Sequence, residues 1–410
     1  MGLFCGIDWA EKHHDVAVVD EAGTVVSRQR VSNDATGFTA LLTMLAEAGD
    51  RPEDLIPVAI ETDRGLWVAA LRAAGRVIYA INPLSASRYR ARHQVSGAKS
   101  DATDAVLLAN ILRTDEAAHR PLPADTELAQ AIRVLARAQQ DAVWARQQLG
   151  NQVRALLKDF YPAALDAFAG LPEGGLARRD ARTILTAAPT PAQAARLTPA
   201  RLRGLLAKAG RRRNIDADIQ RLRGIIGGEY LRQPPQVETA MGIQLAALLR
   251  QFDAACAAAD GLAEAAIAHF ERHPDAEIIT SFPGLGKLAG ARVLAEIGDD
   301  RTRFPHARGL KAYAGSAPIT RASGKKTVVL HRHIKNRRLA AVGPIWALSS
   351  LRASPGARRH FDTRRAAGDW NHQAQRHLFN KFLGQLHHCL HTGQHYNEHL
   401  AFPPPPALAA

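Results

Sequence analysis

The 410-residue chain is long enough for two or three domains with cores of their own. Its 53 Lys and Arg against 39 Asp and Glu give a net charge of +14, an excess that fits a polyanionic partner, nucleic acid above all. There is no run of about twenty apolar residues and no basic-then-apolar N-terminus, so neither a membrane span nor a signal peptide is expected, and Cys5, Cys256 and Cys389 are too scattered for a disulfide framework and suit a reducing cytoplasm.

Residues 3–8 (LFCGID), 15–20 (DVAVVD) and 24–32 (TVVSRQRVS) read as three strands, and the short links between them predict an antiparallel meander. Residues 36–49 have helical spacing and end in Gly49, a C-cap signal. A buried-type strand follows at 56–61, ending in Glu61, then a helix at 65–75 and a strand at 76–82. The helix at 100–112 opens with a Ser N-cap and acids in its first turn. The order βββαβαβα over residues 1–120 is that of a ribonuclease-H-like domain, a mixed sheet with helices on its faces.

Residues 121–126 (PLPADT) read as a linker. From 127 to 158, Leu128, Ile132, Leu135, Val143, Leu149, Val153 and Leu156 recur at helical spacing. Segment 161–200 holds several Pro and Gly and predicts loops with short helices, and 201–272 is again helical. The middle, 121–274, therefore reads as a helical hairpin or coiled-coil arm with an irregular insert, although strict heptads are not sustained. The last domain, 275–400, is mainly helical, and the Pro-rich tail 401–410 is expected to be extended or disordered. Between 301 and 381 stand 18 Lys and Arg and only two acids, Asp362 and Asp369.

Four constellations could carry chemistry. Asp8 closes the first strand, Glu61 the fourth, and Asp101 and Asp104 lie three apart in the first turn of a helix that can reach both. Clustered carboxylates repel unless a cation lies between them, and hard oxygen ligands select Mg2+ or Mn2+. Taken singly, each acid could equally be a solvated strand end or a favourable helix start. In AYAGSAPITRASGKK (312–326), Ser323 stands beside Gly324, Lys325 and Lys326, where a hydroxyl could approach a phosphate, but Ser-Gly is also a common turn and Ser316 is a rival. In PGLGKLAGARVLAEIG, Gly284 and Gly286 precede a helix in a pattern similar to one helix-hairpin-helix unit, which binds DNA backbone. His391, His395 and His399 are spaced as zinc ligands could be, or as a solvated polar face.

GIDWAEKHHDVAVVD, IETDRG, KSDATDA, PGLGKLAGARVLAEIGD, FPHARGLKAYAGSAP and the following SG, in this order, resemble the transposases of the bacterial insertion sequence one-ten family, the DEDD recombinases. The likeness covers roughly 1–160 and 275–385. It implies a RuvC-like N-terminal domain with the tetrad Asp8, Glu61, Asp101 and Asp104, and a C-terminal transposase domain whose nucleophile is Ser323. It also implies DNA recombination guided by a structured RNA of the element, called bridge RNA, in a homodimer or homotetramer that brings acids and serine together across subunits. Lys325, Lys326, Arg332, Lys335, Arg337 and Arg338 would hold nucleic-acid backbones. The alternatives are a metal-dependent nuclease of the Holliday-junction-resolvase type, with water attacking, and a non-catalytic nucleic-acid-binding protein.

Overall fold

The computed structural model describes residues 2–93, 101–169, 175–324 and 326–403, without the side chains of Asp101 and Ala102. The chain divides into two compact units, 1–124 and 125–410.

In the first unit, β1 (Phe4–Trp9), β2 (His13–Val19) and β3 (Val25–Ser32) form the expected meander. After α1 (Ala35–Ala48), β4 (Val58–Ile60) pairs parallel with β1; after α2 (Leu66–Ala73), β5 (Ile78–Ala80) pairs parallel with β4. The sheet order is β3-β2-β1-β4-β5. Cys5, Ile7, Val16, Val18, Val58 and Ile60 pack with α1 and α2 on one face. Ala59, Tyr79 and Ile81 pack on the other with α3 (Pro83–His93) and α4 (Asp101–Asp115). The strand periodicity of two sends alternate residues to these two helical layers. Helix α3 is absent from the sequence reading, although Asn82 and Pro83 form a helix-start signature, the Asn82 side chain accepting from Leu84 N.

The second unit opens at Asp125, where a linker was expected. Its carboxylate is fully buried and accepts from the backbone N–H of Asp299 and Asp300. Thr126 caps α5 (Glu127–Phe160) and donates its hydroxyl to Asp299. Helix α5 ascends and α11 (Pro235–Phe270) returns antiparallel, since Gln139 bonds the Ala259 carbonyl while Gln233 bonds that of Asp159. At their far end the insert folds as α6 (Pro162–Phe168), α7 (Arg179–Ala187), α8 (Pro191–Ala195), α9 (Pro199–Lys208) and α10 (Ile215–Ile226), around a core of its own with Val153, Phe160, Leu245 and Phe252. Gly227, Gly228 and Pro234 separate α10 from α11 within the helical stretch 201–272.

At the near end, Ile132 and Phe270 join a second core built by α12 (Ala276–Thr280), α13 (Lys287–Ile297), α14 (Ala307–Tyr313), α15 (Arg337–Ala353), α16 (Pro355–Ala366), α17 (Asn371–Thr392) and α18 (Glu398–Ala401). A two-stranded antiparallel hairpin, β6 (Ile319–Ser323) and β7 (Lys326–Leu330), interrupts the helices. The Pro-rich tail is tied down at its start: Ala401 and Phe402 are buried, and Phe402 lies 4.5 Å from the Lys381 ammonium. The rest of the tail, 404–410, lies outside the described residues.

Glu296 on α13 is 2% exposed. Arg137 of α5 donates to both its oxygens at 2.8 Å, and Asn336, the cap of α15, donates to one at 2.6 Å. Burial alone would raise its pKa, but Arg137 and Asn336 outweigh burial and hold it below the usual 4.5. Glu296→Ala removes the buried carboxylate that Arg137 and Asn336 both donate to and should cost about 3–5 kcal/mol in urea unfolding. Because the folded pKa is depressed, the stabilisation from ionised Glu296 is present above 4.5 and is lost as pH falls below it. The Glu296→Gln variant should therefore show a shallower acid loss of stability than the wild type.

Candidate active site and nucleic-acid surface

Asp8 lies inside β1, one residue before its end. Gly6, two residues earlier, faces α4 so closely that a Cβ would stand 2.1 Å from the Ala105 carbonyl oxygen. Asp8 shares that face by alternation. The register pairs Gly6 with Ala59 and Ile7 with Ile60, so Glu61 is the next position beside Asp8, on the face of Ala59. At the far end of α4, Arg113 donates to the Glu21 carbonyl beyond β2, whose last residue pairs with Phe4. Helix α4 therefore runs opposite to β1, and its first turn, with Asp101 and Asp104, lies at the strand end that carries Asp8. The topology brings Asp8, Glu61 and the start of α4 to one end of one face of the sheet.

Three further charges, Asp15, Arg30 and Arg90, belong to this region and escaped the sequence reading. Asp15 of β2 is the cross-strand partner of Asp8, is 5% exposed, and is held by Arg30 of β3 at 2.8 and 3.2 Å. Asp104, also 5% exposed, is paired with Arg90 of α3. Arg90 was invisible because α3 was. The donor set is all carboxylate, which fits a hard divalent cation. Among the described side chains no three such groups stand close enough to form a ligand cluster; the side chain of Asp101 lies outside the description.

Ser323 belongs to the second unit. It ends β6, exposed, directly opposite Lys326, and Gly324 makes the turn with φ +55°. Lys325 lies outside the described residues. The rival Ser316 is 5% exposed, its hydroxyl 2.9 Å from Asn380 Oδ1, so it is held away from solvent. This hairpin was missed, although β-branched residues flank the Ser-Gly turn.

The expected backbone-binding residues divide. Lys326 and Arg337 are exposed. Arg332 is partly buried and reaches the Ala317 carbonyl, and Lys335 reaches His331. Arg338 is engaged inside the protein: it donates to both Asp141 oxygens at 2.8 and 2.9 Å and lies over Trp144. Gly284, at φ +76°, packs against the backbone of Ser349 and Ser350, which accounts for the glycine without a ligand; a Cβ on Gly286 would meet nothing within 4 Å. The histidines do not form a zinc cluster: α17 ends at Thr392, and His391 bonds the His387 carbonyl with its ring stacked on His387. No described helix is long and apolar enough to cross a membrane.

Residues 5–162 match the DEDD-type IS110 transposase family, and 276–362 match that described as "Transposase IS116/IS110/IS902 family". A Streptomyces coelicolor protein named "Mini-circle putative transposase for IS117" is 63% identical over 402 residues, 98% of this chain and 97% of its own. The chain belongs to the IS110 family of transposases. The transposase is also 29% identical to the "Insertion element IS900 uncharacterized 42 kDa protein" of Mycobacterium paratuberculosis, over 94% of each chain. It is 28% identical to the "Insertion element IS110 uncharacterized 43.6 kDa protein" of S. coelicolor, over 98% of this chain and 96% of that one. It is thus an insertion-sequence enzyme acting on DNA, and its DEDD type implies a divalent metal.

Lys326→Gln and Arg337→Gln should each lower the slope of log affinity for DNA against log salt by about one. Arg338→Gln should leave that slope unchanged and instead lower Tm by about 2–4 °C, the effect of losing roughly 1 kcal/mol in a unit of this size.

Proposed function

We propose that this transposase cleaves and exchanges DNA strands under the guidance of a bridge RNA, using an acid site of ribonuclease-H-like (RuvC-like) type and a covalent phosphoserine link. The observation that carries the reading is the placement of Asp8 and Glu61 side by side on the face of the sheet met by the first turn of α4. The sheet order, with β2 alone running opposite to β1, β3, β4 and β5, supports the ribonuclease-H-like assignment. The domain division carried with it is 1–120 for the acid site, 121–274 for the arm, and 275–400 for the serine.

Asp8, Glu61, Asp101 and Asp104 would hold Mg2+ or Mn2+, which when bound would draw negative charge from the scissile phosphate. The chain's own part is as follows. Ser323 Oγ attacks phosphorus, the P–Oγ bond forms and the bond from phosphorus to one sugar oxygen breaks. The serine proton leaves to a base, and the departing sugar oxygen gains a proton. Reversal by a sugar hydroxyl of another strand releases Ser323, so the phosphodiester is rejoined without an outside energy source. Lys326, across the hairpin from Ser323, offers positive charge to the phosphoryl oxygens in the transition state. The acids and the serine lie in different units of the chain, which suits their meeting across subunits in a homodimer or homotetramer.

A denaturing gel with labelled element DNA and co-purified RNA tests this. Wild type should give a protein-sized DNA adduct. Ser323→Ala should abolish adduct and cleavage, lowering the rate by about four orders of magnitude or more, while DNA still binds. Ser316→Ala should keep the adduct, and Asp8→Asn should stay folded yet lose strand exchange. An adduct persisting in Ser323→Ala would assign the attack to another residue. Cleavage with no wild-type adduct would assign it to water, as in a resolvase.

A further inference from the structure

At the root of the β6–β7 hairpin is a cavity of about 150 Å³, lined by Gly315, Ser316, His331, Lys335, His372 and Arg376 among others. Its polar groups are unbalanced. Lys335 Nζ lies 3.0 Å from His331 Nε2, and Arg376 Nη1 lies 3.4 Å from His331 Nδ1. A neutral imidazole has one acceptor nitrogen and an imidazolium has none, so His331 cannot accept from both cations. Among the described residues, no carboxylate pairs with Lys335 or Arg376; Asp369, the acid that precedes α17, is held by Arg364 and His377. Two permanent cations and a histidine thus converge on one small space where no described carboxylate balances their charge.

The arrangement is fixed by packing. Gly315 has φ +72°, and a Cβ there would fall 2.2 Å from Lys335 Cδ, so the lysine stem lies across the bare glycine backbone. Asn336 N donates to the Tyr313 carbonyl at 2.8 Å, tying the residues after the hairpin to those before it. Arg376 comes from the separate helix α17, whose Gln375 is 5% exposed and bonded to Asn371. Burial, with Lys335 and Arg376 next, holds the His331 pKa below its usual value, as expected of a ring facing two cations.

We propose that this pocket receives one backbone phosphate of the DNA, gripped by Lys335 and Arg376 with His331 between them. The phosphate supplies the balancing negative charge, and Arg presents a planar fork to two of its oxygens. Lys335, His331 and Arg376 are positioning residues: they fix the root of the hairpin on the strand whose phosphorus the tip would meet. That purpose rests on the reading of Ser323 as nucleophile; the phosphate site itself does not.

The test uses the full-length protein, a labelled DNA duplex and an RNA duplex of the same sequence, with affinities measured across a salt series. Lys335→Gln and Arg376→Gln should each weaken DNA binding about tenfold and lower the salt slope by about one, with RNA affinity unchanged. Lys335→Arg should restore the slope, and Gly315→Ala, which displaces the lysine stem, should mimic Lys335→Gln. As a second probe, inorganic phosphate should shift the His331 imidazole 15N resonances in wild type and not in the doubly substituted protein. Folded variants with an unchanged DNA slope, or a loss confined to RNA, would overturn the proposal, as would a His331 signal indifferent to phosphate. A wild-type protein that forms no serine adduct would sink the phosphoserine reading while leaving the slope result standing.

Discussion

Glu296 carries a negative charge where almost no water reaches, and α5, α15 and, through Asn336, α14 of the C-terminal unit are tied to it. Arg137 brings α5, Asn336 caps α15 while donating to the carboxylate, and Tyr313 of α14 accepts from Asn336 at 2.7 Å. Arg303 donates to the Tyr313 hydroxyl and lies over its ring. An unpaired carboxylate in this position would cost several kcal/mol, so the partners are not optional. The hairpin leaves the helical body after Tyr313 and returns to it at Asn336. Both of its roots are therefore attached to the same buried charge, and the exposed strands that bear Ser323 are held by groups far more buried than themselves.

The N-terminal unit solves an opposite problem. It gathers negative charge at one edge and balances it locally. Reading across the sheet on the α4 face, Arg30, Asp15 and Asp8 stand in register, with Glu61 next in line and Arg90 reaching Asp104 from α3. Gly6 lets α4 lie against β1 at backbone distance, and only that approach brings the first turn of the helix to the strand ends.

Much of this was legible because it is local. The alternation around Asp8, the apolar run ending at Glu61 and the helix start at Asp101 are written in neighbouring residues, and the topology needed only their order. What stayed hidden is non-local. Asp15 looked like the start of a strand, and its pairing with Arg30 appears only once β2 and β3 are in register. Arg337 and Arg338 are indistinguishable in composition, yet Asp141, far away in sequence, takes the second and leaves the first in solvent. Asp125 resembled a linker residue because nothing nearby shows that its acceptors face the turn after α13. Helix α3, polar and basic, has no apolar stripe strong enough to announce it, although its Asn-Pro start was readable.

The long hairpin of α5 and α11 joins two cores that share no other helix. Helix α5 has 34 residues and so spans about 50 Å, with its foot clamped by Asp125, Thr126 and Arg137. It is a lever with a fixed fulcrum: a tilt of about 5° at the foot carries the far end about 4 Å sideways, roughly a diameter of one atom layer. The same tilt would move Arg137, about 15 Å up the helix and bonded to Glu296, by only about 1 Å.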